Sequence, residues 1–312
     1  DRLVTVFGGS GFVGRHVVRA LARRGFRIRV AVRRPDLAGH LQPLGAVGQI
    51  HAVQANLRYP DSVRQAVAGA DIVVNCVGIL YETGRQKFDS VQARGAAVVA
   101  RAATEAGARL VHISAIGADA DGTSLYARTK AAGEAAVLQE APDAVILRPS
   151  VVFGPEDDFF NRFAGLARIS PVLPLIGGGE TRFQPVFVGD VAQAVMAAVD
   201  GRARAGAVYE LGGPGVKSFR DLMEFVLETT GRKRLLAPLP FGLARLQAKL
   251  LQILPKPLLT VDQVELLRAD NVVSERAKAD GRTLKGLGIH PQSVEAIVPT
   301  YLWRFRKQGQ FA

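Results

Sequence analysis

Leu3-Val4-Thr5-Val6-Phe7-Gly8-Gly9-Ser10-Gly11-Phe12-Val13-Gly14-Arg15 is the stretch whose reading decides the rest of this chain. A short apolar run, Leu3 to Phe7, reads as a buried strand, and the segment after Gly14 carries helical spacing. Between them lie glycines at positions with separate duties. Gly8 permits the tight turn, Gly11 removes a side chain where backbone must approach a diphosphate, and Gly14 lets helix and strand pack closely. The opening helix presents unsatisfied N–H groups and the positive end of its dipole to an anion. Ser10, Phe12 and Val13 complete the turn as candidate ligand-binding residues. Glycines also serve ordinary turns; the strand–turn–helix setting is what favours a dinucleotide site here.

Working outward, the first half repeats the same rhythm. Ile28–Val32, Ile50–Val53, Ile72–Cys76, Leu110–Ser114 and Ala144–Leu147 read as further strands without period-2 alternation, hence covered on both faces. Helical patterns over 14–24, 62–68, 86–106 and 126–140 separate them. Strands alternating with helices of this length predict βαβ units and a doubly wound, parallel α/β sheet. After Pro149 the rhythm breaks into turn-rich segments, with a helix expected over 189–199 and a strand over 207–211. The division read from this is a nucleotide-binding domain over 1–154, to which 190–212 returns, and a smaller, mostly helical lobe from 155–189 and 213–312.

The loop after the second strand is where an adenosine ribose would lie in such a sheet. An acidic residue there would accept from the 2′-hydroxyl of NAD. This chain carries Arg33-Arg34-Pro35, with Asp36 only beyond the proline, and arginine forks match a 2′-phosphate. NADPH is therefore expected over NADH, although two solvated arginines after a strand would look the same. Asn56 and Leu57 are placed beside the adenine, and Asn75, Val77 and Gly78 along the nucleotide backbone.

Tyr126-Ala-Arg-Thr-Lys130 opens the helix after the fifth strand, and positions i and i+4 share a face. A phenol titrates near 10, and a neighbouring ammonium favours the phenolate. The pair is suited to general acid–base work on a carbonyl or alcohol, and the lysine to holding a nicotinamide ribose.

Together these features resemble the short-chain dehydrogenase/reductase superfamily, of the extended or atypical kind. The residues carrying the resemblance are the Gly8–Gly14 turn, Asn75-Cys76-Val77-Gly78, Ser114, Tyr126 with Lys130, and Arg148-Pro149-Ser150. The resemblance implies a Rossmann-type fold with bound NADP(H), and places Pro149 to Val152 near the nicotinamide. Active relatives carry a Ser-Ser or Ser-Thr pair after the fifth strand. Here Ser114-Ala115-Ile116 replaces it, so the carbonyl-polarising hydroxyl is missing unless Ser114 substitutes, and Tyr126 and Lys130 are read as cofactor ligands.

Further motifs, 154–163, 184–191, Ala237-Pro238-Leu239-Pro240 and Tyr301-Leu302-Trp303-Arg304-Phe305-Arg306, are similar to one branch: the dehydrogenase-like accessory subunit of respiratory complex I in its α-proteobacterial form. That resemblance covers essentially the whole chain. It implies a tightly held NADPH without assigned turnover, a role in assembly or stability, other complex I subunits as partners, and a peripheral place on the cytoplasmic side of the bacterial inner membrane. The alternative is a soluble NADP-dependent reductase or epimerase using Tyr126 and Lys130.

Bulk properties agree with either. The 312 residues carry a net charge of +12, with hydrophobic residues at 48%. An ordinary globular balance excludes disordered, collagen-like and coiled-coil chains. A single cysteine, Cys76, excludes an intrachain disulfide or a Cys-rich zinc module and fits a reducing compartment. The first apolar run enters the glycine turn at once and no run approaches a membrane span of about 18 residues, so neither signal peptide nor transmembrane helix is expected. The five histidines lack metal spacing, and no metal site is expected. The positive charge favours polyanionic partners. Phe241–Leu254 reads as an amphipathic helix with Arg245, Lys249 and Gln252 on one stripe and leucines opposite, suited to core, partner or lipid surface. The aromatic-basic tail from Tyr301 to Lys307 reads as a docking segment. Nucleic acid is not expected, since the nucleotide motif accounts for phosphate affinity.

Overall fold

A computed structural model describes residues 2–252 and 259–307. The opening strand β1 (Leu3–Phe7) leads through the glycine turn into α1 (Phe12–Arg23), followed by β2 (Arg27–Val32), β3 (Ile50–Gln54), α2 (Pro60–Val67) and β4 (Ile72–Asn75). The first half continues with α3 (Arg94–Glu105), β5 (Arg109–Ile113), α4 (Leu125–Glu140) and β6 (Val145–Pro149). The expected strands and helices are present within a few residues of their predicted ends. One difference lies before α3, where Asp89–Ala93 forms a π-helical turn. Such turns are rare and concentrate near functional sites.

The second half contains more strand than its sequence promised. It runs β7 (Val152–Phe153), α5 (Phe160–Ile169), β8 (Val172–Ile176), β9 (Arg182–Phe183), β10 (Val186–Phe187), α6 (Val188–Val199), β11 (Val208–Leu211), β12 (Lys217–Ser218), α7 (Phe219–Thr230) and β13 (Leu235–Leu239). Helices α8 (Phe241–Leu251), α9 (Val261–Leu266), α10 (Glu275–Ala279), α11 (Val294–Ile297) and α12 (Pro299–Leu302) follow. β8 and β13 pair in parallel although each holds a proline, at Pro174 and Pro238. A two-stranded ribbon has only edges, where a missing N–H is tolerated, and this is why Pro-bearing segments did not read as strands.

The described residues form a seven-stranded parallel sheet in the order β11-β6-β5-β4-β1-β2-β3. The order reverses between β1 and β4, and ligands of open α/β sheets bind in the crevice outside the strand ends at that point. α1 and α6 cover one face, sealed by Val17, Leu21, Val191 and Val195, all 0% exposed. α2, α3 and α4 cover the other, where alanines and Gly133 bring α3 and α4 close: a Cβ on Gly133 would overlap the Gln92 carbonyl. The fold is a Rossmann-type doubly wound sheet with a smaller, largely helical C-terminal part, as expected.

That C-terminal part has its own core of Phe153, Phe159, Phe160, Phe163, Phe183 and Phe219 with Leu173, Leu222 and Leu302. Edge-on ring pairs at 5.2–6.2 Å organise it. The tail packs onto this core through Tyr301, Leu302 and Phe305. The Tyr301 hydroxyl donates to Asp157 at 2.5 Å, Arg304 donates to the Pro155 carbonyl and to Asn161, and Arg306 donates to the Thr229 carbonyl. Asp157 in turn accepts the Gly154 and Asn161 N–H groups. Two stretches that stood apart in the sequence reading, 154–163 and 301–306, are thus in contact, while Trp303, Arg304 and Lys307 stay exposed.

α8 also differs from expectation. It ends at Leu251, and Ile253 and Leu254 of the predicted helix lie outside the described residues. Its buried positions are Ala244 and Ala248, packed against Val264 of α9, whereas Leu243, Leu246 and Leu250 are 55–67% exposed. Small side chains allow close helix approach and turn the leucines outward. Among the described residues no helix is long and apolar enough to cross a membrane.

Candidate functional site

The glycine turn separates what the protein needs from what a ligand would need. Gly8 has φ +72° and accepts the Gly11 N–H through its carbonyl. A Cβ on Gly14 would overlap the Gly8 carbonyl and Gly9 Cα, so its bareness is required by the protein's own packing. Gly11 is different: it is exposed, and a Cβ there would meet only the Gly8 carbonyl, at 3.3 Å. The outer space is open. No side chain caps α1 and no acidic residue lies in its first turn, leaving its N–H groups to an anion. Arg15 donates to the carbonyls of Ser10 and Gly11 at 3.3 Å and holds them turned away.

Across the crevice, the end of β4 is shaped by Asn75, which is 1% exposed. Its Oδ1 accepts the Val77 N–H at 3.1 Å, which fixes the amide so that Nδ2 donates to His112 Nδ1 at 3.2 Å. Asn75 therefore braces the Val77–Gly78 turn instead of facing the crevice. His112 is buried, and burial together with the Lys130 ammonium pushes it down to about 3, so it is a neutral acceptor at physiological pH. The histidine was read from the sequence only as a scattered one; a polar residue inside a strand was the signal available.

Ser114 lies on the same face of the chain as His112, 4% exposed, and its Oγ is buried with no hydrogen-bond partner. Lys130 is 5% exposed and has neither an acceptor nor an ion-pair partner among the described residues. Its Nζ stands 5.8 Å from the Tyr126 ring centre and beside Gly78. Buried polar groups are normally paired. A hydroxyl and an ammonium without partners, at a crevice mouth floored by bare backbone, fit the sugar hydroxyls and amide of a nicotinamide nucleotide. Gln92 in the π-helical turn donates to the Ile79 carbonyl at 2.7 Å and accepts from Thr129 Oγ1, tying this wall to α4.

The electrostatics of the Tyr126–Lys130 pair differ from expectation. Burial and then the Asp262 carboxylate push the Tyr126 phenol up to about 12. Burial pushes Lys130 down to about 8, which the Glu134 carboxylate partly opposes. The spacing brought the two groups together, but their surroundings, which the sequence does not reveal, push the phenol away from ionisation instead of toward it. Desolvation likewise pushes the half-buried Cys76 thiol up to about 12, which disfavours its thiolate.

The lysine makes a testable contribution to stability. An unfolded lysine titrates at 10.5 and the folded one near 8. Between these values the unfolded chain holds more protons, so stability rises with pH. Above pH 9 Cys76, and above pH 10 Tyr126, act in the opposite sense, because their folded values lie above their unfolded ones. Urea unfolding of the nucleotide-free protein should gain about 1 kcal/mol between pH 8 and 9, and Lys130→Met should lose that gain. Parallel curves for the two proteins would contradict the assignment.

The remaining sequence candidates divide. Leu57 is 8% exposed and packs under Gly95 in the sheet core, so it supports the loop after β3 from below. Asn56 braces the same loop by accepting the Arg58 N–H. Arg34 closes a two-point pair with Asp36 at 3.0 and 2.6 Å in full exposure. Arg33 is exposed and without a partner among the described residues. Arg58, which the sequence reading missed, has a buried Nε without a partner and lies 5.7 Å over Tyr59. Pro149 is buried at the end of β6, where its carbonyl accepts the Ile116 N–H, and Val152 is half-buried in β7.

Comparison with known proteins gives the family. Residues 4–212 match the model of the NAD dependent epimerase/dehydratase family. Over 98% of its length the chain is 35% identical to NADH dehydrogenase (ubiquinone) 1 alpha subcomplex subunit 9, mitochondrial, of Arabidopsis thaliana, and covers 79% of that protein. The chain belongs to this family, in its complex I subunit 9 branch. Another member, the ceramide reductase of Caulobacter vibrioides, is 35% identical over 195 residues, which is 62% of this chain and 60% of that one. In structure, the family fold is shared with dTDP-glucose 4,6-dehydratase from Streptomyces venezuelae, solved with NAD bound, at TM-score 0.73 and 19% identity over 99% of this chain and 98% of that one. At that identity the likeness speaks for the fold alone.

Proposed function

We propose that this chain is a non-catalytic, NADPH-holding accessory subunit of respiratory complex I. The observation that carries the reading is the similarity to the complex I subunit over nearly the whole chain, C-terminal part included. In this reading the nucleotide-binding domain spans 1–154 and 190–212, and the C-terminal lobe 155–189 and 213–312. The α1 N-terminus with Gly8, Ser10, Gly11, Phe12 and Val13 holds the diphosphate. Lys130, Ser114 and Tyr126 hold the nicotinamide end beside Gly78, Pro149 and Val152. Arg33 takes the 2′-phosphate, joined by Arg34 once it exchanges Asp36 for it, an exposed pair that contributes little. A nicotinamide nucleotide bound there would supply a hydride donor or acceptor.

The absence of turnover is supported by two features of this chain. The phenol is raised to about 12 rather than lowered, and Ala115 stands where active relatives of this type carry a second hydroxyl. The Tyr126–Lys130 end of α4 is then a binding element, its proton held at the phenol oxygen. Docking to other subunits on the cytoplasmic face of the inner membrane is part of the same proposal. α8 offers the surface for it: Leu243, Leu246 and Leu250 point outward with Arg245 and Lys249 beside them, an arrangement that suits an anionic lipid surface.

The test is isolation of NADH:quinone oxidoreductase from solubilised membranes of the source cell. The chain should co-purify and release about one NADPH per copy on denaturation. Arg33→Ala should weaken NADPH about tenfold, roughly the 1.4 kcal/mol of one charge-assisted contact, and leave NADH unchanged; equal losses would remove the 2′-phosphate assignment. A second reading, an NADP-dependent reductase, draws on the similarity to ceramide reductase and the retained Tyr126–Lys130 pair. It would be upheld by recovery as a free soluble protein with carbonyl-reducing turnover that Tyr126→Phe abolishes.

A further inference from the structure

The first turn of α4 carries Tyr126, and its backbone is held by a residue from the far end of the sequence. Ser124 caps the helix by accepting the Ala127 N–H. The N–H groups of Leu125 and Tyr126 donate instead to the carboxylate of Asp262, at 2.6 and 3.2 Å, and Ser124 Oγ donates to it at 2.8 Å. Asp262 has no basic partner among the described residues, so its charge is met by the positive end of α4. It is itself fixed in place. α9 opens with a reciprocal cap between Thr260 and Gln263, and its Val264 is clamped by Ala244 and Ala248 of α8.

We propose that Asp262 is a positioning residue for the Tyr126–Lys130 end of the crevice, through which a nucleotide bound there rigidifies α9. The inference deepens the nucleotide reading above and rests on it. Helix-opening N–H groups are the part of α4 that its own ladder cannot satisfy. When they are tied to the C-terminal part, the orientation of Tyr126 becomes a property of both parts of the molecule. Phe88 fixes the other side of the ring, edge-on at 5.8 Å. Because the coupling is a free energy between two sites, it acts in both directions: whatever orders α9 also favours the nucleotide. The charge of the carboxylate also helps to push the phenol's titration up, so its removal must change that titration as well as the helix start.

The experiment uses the full chain and NADPH. In the unmutated protein, saturating NADPH should slow amide hydrogen exchange across residues 261–266. Asp262→Asn should weaken NADPH binding about fivefold, abolish that slowing, and lower the Tyr126 phenolate midpoint, read at 295 nm as the difference from the same protein with Tyr126→Phe. Asp262→Glu, which keeps the charge, should restore the titration. Glu265→Gln, on the same helix but paired with Arg268, should leave all three unchanged. NADPH bound with no change of exchange at 261–266 would overturn the proposal even if Asp262→Asn does not fold. So would an Asp262→Asn protein with wild-type affinity and titration. If the unmutated chain fails to bind NADPH while Asp262→Asn still moves the Tyr126 titration, the nucleotide reading falls and the positioning role stands.

Discussion

Gly11→Val should abolish nucleotide binding and leave the fold standing. The position has φ −74° and ψ 179°, which a branched residue adopts without strain. A Cβ there meets one carbonyl oxygen and otherwise open space. Loss of a favourable helix-cap residue costs about 1 kcal/mol, a change of a few degrees in melting. The branched side chain would nevertheless occupy the approach to the α1 N–H groups, and NADPH affinity should fall at least about 100-fold, roughly 2.8 kcal/mol. Gly14→Val is the contrast. Its Cβ would overlap backbone at Gly8 and Gly9, backbone that cannot rotate away, so overpacking should cost about 3 kcal/mol together with binding. Thermal melts and NADPH fluorescence titrations on the two variants separate the roles. Wild-type affinity in the Gly11 variant would move the nucleotide out of this crevice.

Arg148→Met should be among the most damaging single changes outside the glycine turn. Arg148 donates to both oxygens of Glu134, at 2.8 and 2.5 Å, and lies 3.9 Å from Glu210. The Glu134 side chain is 7% exposed. The pair pins α4 to β6, two elements whose juxtaposition sets where Lys130 points. With the guanidinium removed, a buried carboxylate has no cation, which costs about 3 kcal/mol. The double variant Glu134→Leu with Arg148→Met removes both charges and should recover most of that loss, as read by urea unfolding. A double variant no more stable than Arg148→Met would place the effect in packing. Lys130 reports on the same change, because the Glu134 carboxylate supports its ammonium; Glu134→Leu should shift the lysine's titration further down.

The variants also mark which parts of the site the sequence disclosed. The Gly8–Gly14 turn, the strand and helix alternation and the Tyr126–Lys130 spacing were legible because each is local. A strand's apolar run, a helix's period and a glycine's conformational freedom are set by neighbours within a few positions. The parallel, doubly wound sheet was legible from the repeated βαβ units, while its strand order is seen only in the structure. Leu57 and Asn75 were read as lining the nucleotide, and the structure shows both side chains packed into the protein. Both sit beside the crevice in sequence while their side chains turn inward, and burial of that kind depends on what packs above them.

What the sequence by itself determined is therefore the sheet, the anion-binding turn and the pairing of a phenol with an ammonium. Tertiary structure alone decided three things: that the phenol is pushed away from ionisation rather than toward it, that the aromatic-basic tail is tied to residues 154–163, and that α8 turns leucines rather than alanines to solvent. Each depends on groups far apart along the chain, Asp262 with Tyr126 and Tyr301 with Asp157 among them. Desolvation and long-range hydrogen bonding have no periodicity for a sequence to display, and they exist only once the chain has closed on itself.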